Sequence, residues 1–141
     1  MNKELRLGNY VMANNDIFII NSICYEPMFK KIHVTVVNKF GDIPIALVGL
    51  VPSPIPLTEE ILLKCGFEKN DYEDNVFYHK ESSLEVVYAI RYDEYEPHWH
   101  YGHDFEKGNG TSPLWKAIDY LHQLQNLYFA LTGEELPINL T

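Results

Sequence analysis

The sequence predicts an α+β fold: a small antiparallel β unit, a short central helix, a β-hairpin, and a long C-terminal helix packed on the sheet. Three observations predict it. β-branched and aromatic runs broken by turn residues fill residues 5–51. A capped helical segment follows a cluster of prolines. Near the end of the chain, apolar residues recur at spacings of three and four. At 141 residues the chain fits a single domain, large enough to bury about two thirds of its unfolded surface without metal or disulfide staples. It divides by pattern into an N-terminal β unit at 1–51, a helix and hairpin at 52–92, a His- and aromatic-rich insertion at 93–110, and a helix with a tail at 111–141.

In the N-terminal unit the strand-like runs are 7–12, 17–23, 32–37 and 43–51. Asn14, Asn15 and Asp16, then Phe40, Gly41 and Asp42, supply the turn chemistry between them. A strongly bent sheet or partial barrel is expected. Pro52, Pro54 and Pro56 follow, removing backbone donors and forcing an extended, rigid path.

Thr58 is placed to cap a short helix, with Glu59 and Glu60 in the first turn where the helix dipole favours anions. Leu57 and Leu62 have the spacing of a hydrophobic staple, Gly66 ends the helix, and Phe67 folds back. Residues 76–79 and 84–92 read as a hairpin around Lys80, Glu81, Ser82 and Ser83. Alternation assigns Leu84, Val86, Tyr88, Ile90 and Tyr92 to the core side. Residues 93–110 look irregular, and long non-repetitive loops in compact domains are often functional.

The last helix is expected to open with Ser112 as N-cap and Pro113 as first helical residue, and to close at Gly133. That length spans about 30 Å at 1.5 Å per residue. Leu114, Ile118, Leu121, Leu124, Tyr128 and Leu131 form one stripe, while Trp115, Leu127 and Phe129 fall partly outside it. No Asp, Glu, Lys or Arg occurs at 120–133, although 22% of the chain is charged. The helix therefore needs cover on more than one side, and a homo-oligomer is expected. Gln123, Gln125 and Asn126 need partners if buried, and would fix the helix position or a subunit contact.

Eleven Lys and Arg against twenty Asp and Glu leave a formal charge of -9. Duplex nucleic acid and anionic membrane are not expected partners, because phosphate binding depends on clustered cations. Cys24 and Cys65 lack Cys-x-x-Cys spacing and read as buried reduced thiols; a disulfide is the weaker alternative. The amino terminus lacks the apolar core of a signal peptide, and the apolar run at 43–57 holds four prolines and is too short for a bilayer. A cytoplasmic protein is expected.

Three blocks carry a resemblance: Leu5-Arg6-Leu7-Gly8-Asn9-Tyr10-Val11, the segment from Pro54 to Phe67, and the segment from Leu121 to Leu136. Together they make up about a quarter of the chain, and in order and wording they resemble a family of small proteins encoded by phages and prophages of Bacteroides-like bacteria. The resemblance implies a small accessory phage product. It implies no activity and no catalytic residues, and it marks 93–110 as an expansion of a shorter connection.

That expansion holds the candidate chemistry. Tyr92, Tyr95, Trp99, Tyr101 and Trp115 offer flat apolar faces, while Arg91, His98, His100 and Lys107 offer donors for phosphate or ring edges. Such a set suits a small nucleotide-like ligand. Against the overall negative charge, Arg6, Lys30 and Lys31 would have to add local cations. If the segment is extended, His98, His100 and Asp104 share one face and Trp99, Tyr101 and Phe105 the other. His98 and His100 could then share a zinc ion, with His103 or Asp104 and either His122 or His79 completing the site.

The plainer reading of the same residues is a polar rim with stacking surfaces, and Tyr92 and Trp115 read equally well as core. Nucleophilic catalysis finds little support: neither cysteine has a neighbouring histidine in sequence, and there is no Gly-x-Ser-x-Gly elbow or phosphate-loop glycine spacing. A non-enzymatic binding protein follows, most specifically a counter-defence protein that sequesters a nucleotide-derived host immune signal. The alternatives are a metal-dependent hydrolase built on His98, His100 and His103, and an inhibitor that grips a host enzyme through its last helix or an edge strand.

Overall fold

The structure is a computed structural model and describes residues 5–13, 15–28, 31–38, 44–46, 52–90, 95–103 and 117–140. The chain forms two compact units. Unit 1 combines Met1–Ile55 with Tyr120–Asn126, and unit 2 combines Pro56–Asp119 with Leu127–Thr141. The architecture is α+β, with two antiparallel four-stranded sheets, a short helix and a C-terminal helix.

Unit 1 is a meander of β1 (Tyr10–Ala13), β2 (Asp16–Glu26), β3 (Lys31–Asn38) and β4 (Pro44–Ala46), paired in that order. Asn15 makes the first turn at φ 64°, a left-handed conformation that asparagine tolerates better than most residues. Val11 faces Phe18 and Ile20 faces Val36 across the strands. The core accordingly gathers Val11, Ile20 and Val36, with Leu5, Phe18 and Val34 against them. The register shifts between Ile20 and Ser22, a bulge of the kind that bends a strand and tightens its twist. The expected turn at 40–42 lies outside the described residues.

The outer edge of β1 is not left open. Between the prolines, Ser53 still has an N–H, and it exchanges two hydrogen bonds with Met12 at 2.7 and 2.9 Å. Segment 120–126 adds a second closure. Gln125 accepts a hydrogen bond from Tyr10 N at 2.9 Å and donates one to Gly8 O at 3.1 Å, so its side-chain amide acts as a missing strand residue. Beside it, Asn9 donates to Asn126 Oδ1 at 2.9 Å and accepts from Arg6 N at 2.8 Å.

Unit 2 begins with α1 (Glu59–Lys64). Thr58 accepts from Ile61 N, as the capping pattern requires. At the other end Gly66 N donates to Leu63 O and Phe67 N to Leu62 O, with Gly66 at φ 84°. This pair of bonds is a Schellman motif, which only a left-handed residue can close. Leu57, Leu62 and Phe67 are all buried. The sheet that follows runs β5 (Glu68–Lys69), β6 (Val76–His79), β7 (Leu84–Ala89) and β8 (His98–His103) in order. Leu84 and Val86 are buried as alternation requires, but Tyr88 and Ile90, on the same side, are exposed. Tyr92 lies outside the described residues.

Two expectations are corrected here. Residues 98–103 are not irregular: they form the edge strand β8, paired with β7 from Ala89 opposite His98 to Leu84 opposite His103. The C-terminal helix α2 (Leu121–Thr132) also starts well after Pro113. At 12 residues it is about 18 Å long. The cause is tertiary. Ala117 bridges to His100, Ile118 N donates to Trp99 O at 2.7 Å, and Leu57 N donates to Asp119 O at 2.7 Å, so 117–119 is spent as an extended cover on β8.

Gln123 then reaches back to accept from Tyr120 N at 3.2 Å, one half of a capping box, and the helix starts there. It ends where expected, at Gly133 with φ 75°. Leu121, Leu124 and Tyr128 of the anticipated stripe are buried, but Leu131 is exposed. Among the described residues, no helix is long and apolar enough to cross a membrane.

Candidate functional site

Of the eight residues expected to line a ligand site, Arg91, Lys107 and Trp115 lie outside the described residues. The other five differ in their surroundings. Trp99 is a core residue: its indole N–H donates to Leu57 O at 2.9 Å, and its ring packs against Phe77 at 5.7 Å and Tyr88 at 4.9 Å. A large apolar ring beside two others gains more from burial than from standing open to a guest. His100 is fully buried, His98 and Tyr101 are half-buried, and Tyr95 stands free in solvent.

His98 and His100 do share a face of β8, with ring centroids 6.4 Å apart. His98 Nδ1, however, is engaged by Asp119 Oδ2 at 2.8 Å, while Asp119 Oδ1 accepts from Trp99 N at 3.2 Å. Asp119 thereby ties the cover segment to the edge strand. The side chain of His103 lies outside the described residues. Among the described residues no group of three or more His, Cys, Asp or Glu is arranged to hold a metal ion.

A different place in unit 2 has the geometry of a site. An open groove of about 500 Å³ lies between the end of α1, the β6–β7 turn and the tail at 137–139. Lys64, Gly66, Glu68, His79, Lys80 and Glu81 are among its walls. The backbone makes one wall directly: Asn139 N donates to Lys64 O at 2.9 Å and holds the tail against the helix end. The rim carries both signs of charge, for Lys80 pairs with Glu68 at 3.0 Å and Lys64 with Glu60 at 2.8 Å. Lys80 and the Tyr78 hydroxyl hold the Glu68 carboxyl below its usual range.

Deeper in, the lining turns neutral. His79 is 5% exposed and lies between the rings of Phe67 and Tyr128, with centroids at 5.2 and 5.3 Å. Its Nδ1 accepts from Ser82 N at 3.3 Å and sits 3.0 Å from Ser82 Oγ. A backbone N–H can only donate, so Nδ1 is the acceptor and the ring proton sits on Nε2. Nε2 faces Gly66: a Cβ there would lie 3.6 Å from it. Among the described residues Nε2 has no hydrogen-bond partner.

Cys65, also on the wall, is unsuited to nucleophilic work, because burial pushes its thiol up to about 12. In the sequence His79 stands out only as a spare metal ligand, and the groove leaves no pattern there. The local signal was present in Gly66 and in the His-x-x-Ser turn, but neither shows from sequence which ring atom faces a cavity. No known protein family, characterised protein or solved structure matches the chain.

Proposed function

We propose that this is a non-enzymatic binding protein that holds a small nucleotide-derived ligand in the groove of unit 2. The observation that carries the reading is the groove itself: about 500 Å³, within the range of about 300–1,000 Å³ typical of small-molecule sites. Its mixed lining of cations, carboxylates and one buried neutral donor matches a molecule that combines phosphate with a polar ring. The orientation of His79 in the groove supports binding. Ser82, whose hydroxyl sits 3.0 Å from His79, lies at Nδ1, whereas Nε2, on the side of the groove residue Gly66, carries the proton and so donates rather than accepts.

In the wider setting, the resemblance to phage and prophage proteins supports a counter-defence role in the host cytoplasm, with the protein acting as a sponge for an immune signal. Phe129 and Leu131, exposed on α2, support the expected homo-oligomer. Native mass spectrometry of protein taken gently from defence-activated cells tests all of this. The expected result is a retained adduct of nucleotide mass that Lys80→Glu diminishes. A wild-type protein that carries no adduct, and that none of the common nucleotides stabilises, rejects the proposal.

A further inference from the structure

The groove grades from charged at its mouth to neutral at its floor. Lys80 and Glu68 side chains are 66% and 50% exposed, whereas His79 is 5% exposed. A donor that buried is matched by a neutral acceptor more readily than by a phosphate, because a phosphate would have to shed its water to reach it. Phosphate is better served at the mouth by Lys64 and Lys80, where it displaces a rim carboxylate and keeps part of its hydration.

We infer that the groove takes its ligand base-first, and that His79 Nε2–H donates to an acceptor on the ring of the base while the phosphate stays outward between Lys64 and Lys80. This rests on the reading of the protein as a nucleotide binder, and it adds orientation and a recognition residue. Two structural details support it. Ser82 holds the ring in the tautomer that donates into the groove: its N–H is directed at Nδ1, and its Oγ is itself held by Leu84 N at 3.3 Å. Gly66, required by the Schellman turn, also leaves Nε2 uncovered, since any side chain there would place its Cβ over that atom. His79 is the recognition residue, and Ser82 is a positioning residue that acts through it.

The test uses the full-length protein with its histidines labelled with ¹⁵N, and the probes AMP, GMP, CMP, UMP, their four nucleosides and ribose 5-phosphate. The free protein should show His79 with the proton on Nε2, and Ser82→Ala, which keeps the backbone N–H at Nδ1, should leave that tautomer in place. At least one nucleoside monophosphate should move the His79 ring signals, the matching nucleoside without phosphate should move them too, and ribose 5-phosphate should not. His79→Phe, which keeps a ring between Phe67 and Tyr128, should weaken that nucleotide tenfold or more. Should the variant fail to fold, the ring signals of the wild-type protein decide alone.

A nucleotide that binds while the His79 ring signals stay still, or that binds His79→Phe as tightly as wild type, overturns this orientation and leaves the nucleotide-binding reading standing. A protein that binds none of these probes and also carries no nucleotide adduct from cells overturns both.

Discussion

At the scale of single residues, Asp119 shows how one side chain can reassign a segment. Its carboxylate accepts from Trp99 N and meets His98 Nδ1, so it ties 117–119 to β8. Asp119→Ala strands the Trp99 N–H and should cost about 2 kcal/mol. Asp119→Asn keeps an acceptor for that N–H and should cost less; urea unfolding of the two variants makes the comparison. Equal losses would show that the contact with His98 dominates.

Cys65 gives a prediction in pH. Burial raises its thiol from an ordinary 9.0 to about 12. As pH climbs through this window the unfolded chain loses a proton that the folded chain keeps. Stability is therefore intact below pH 9 and falls towards pH 12, by at most about 1.4 kcal/mol per pH unit from this group. Cys65→Ala should remove that slope while adding a constant cost. In the native protein at pH 8, iodoacetamide should label the exposed Cys24 and spare Cys65.

At the scale of elements, the local rules held wherever the partners are close in sequence. Thr58, Gly66, Asn15 and Gly133 act as their positions announce, because caps and turns are closed by atoms within about five residues. The start of α2 was misread for the opposite reason. Ser112-Pro113 is a good local helix opening, but 117–119 makes its hydrogen bonds with Leu57, Trp99 and His100, partners far away along the chain. Trp99 was misread likewise: alternation along β8 gives its face but not what covers that face.

Gln125 is the strongest test at this scale. Gln125→Met keeps the volume but leaves Gly8 O and Tyr10 N without this partner, and should cost about 3 kcal/mol in thermal or urea unfolding. A cost under about 1 kcal/mol would mean that water replaces the amide.

At the scale of the whole molecule, neither unit is continuous in sequence. Unit 1 needs 120–126, whose Leu121, Leu124 and Gln125 are buried. A fragment of residues 1–55 should therefore give a collapsed amide spectrum and become dispersed when a peptide of residues 117–133 is added. A dispersed spectrum from the fragment alone would show that the four-stranded sheet suffices.

The sequence by itself determined the α+β class, the capping of α1, the turns at Asn15 and at 80–83, and the end of α2, all of which follow from periodicity and from contacts between near neighbours. Only the tertiary structure decided which histidine faces a cavity, that Trp99 belongs to the core, and that 117–119 covers a strand edge. The physical reason is the same in each case. Burial and hydrogen-bond satisfaction are set by groups brought together from distant parts of the chain, and a linear pattern carries the face of a side chain without the neighbour that face will meet.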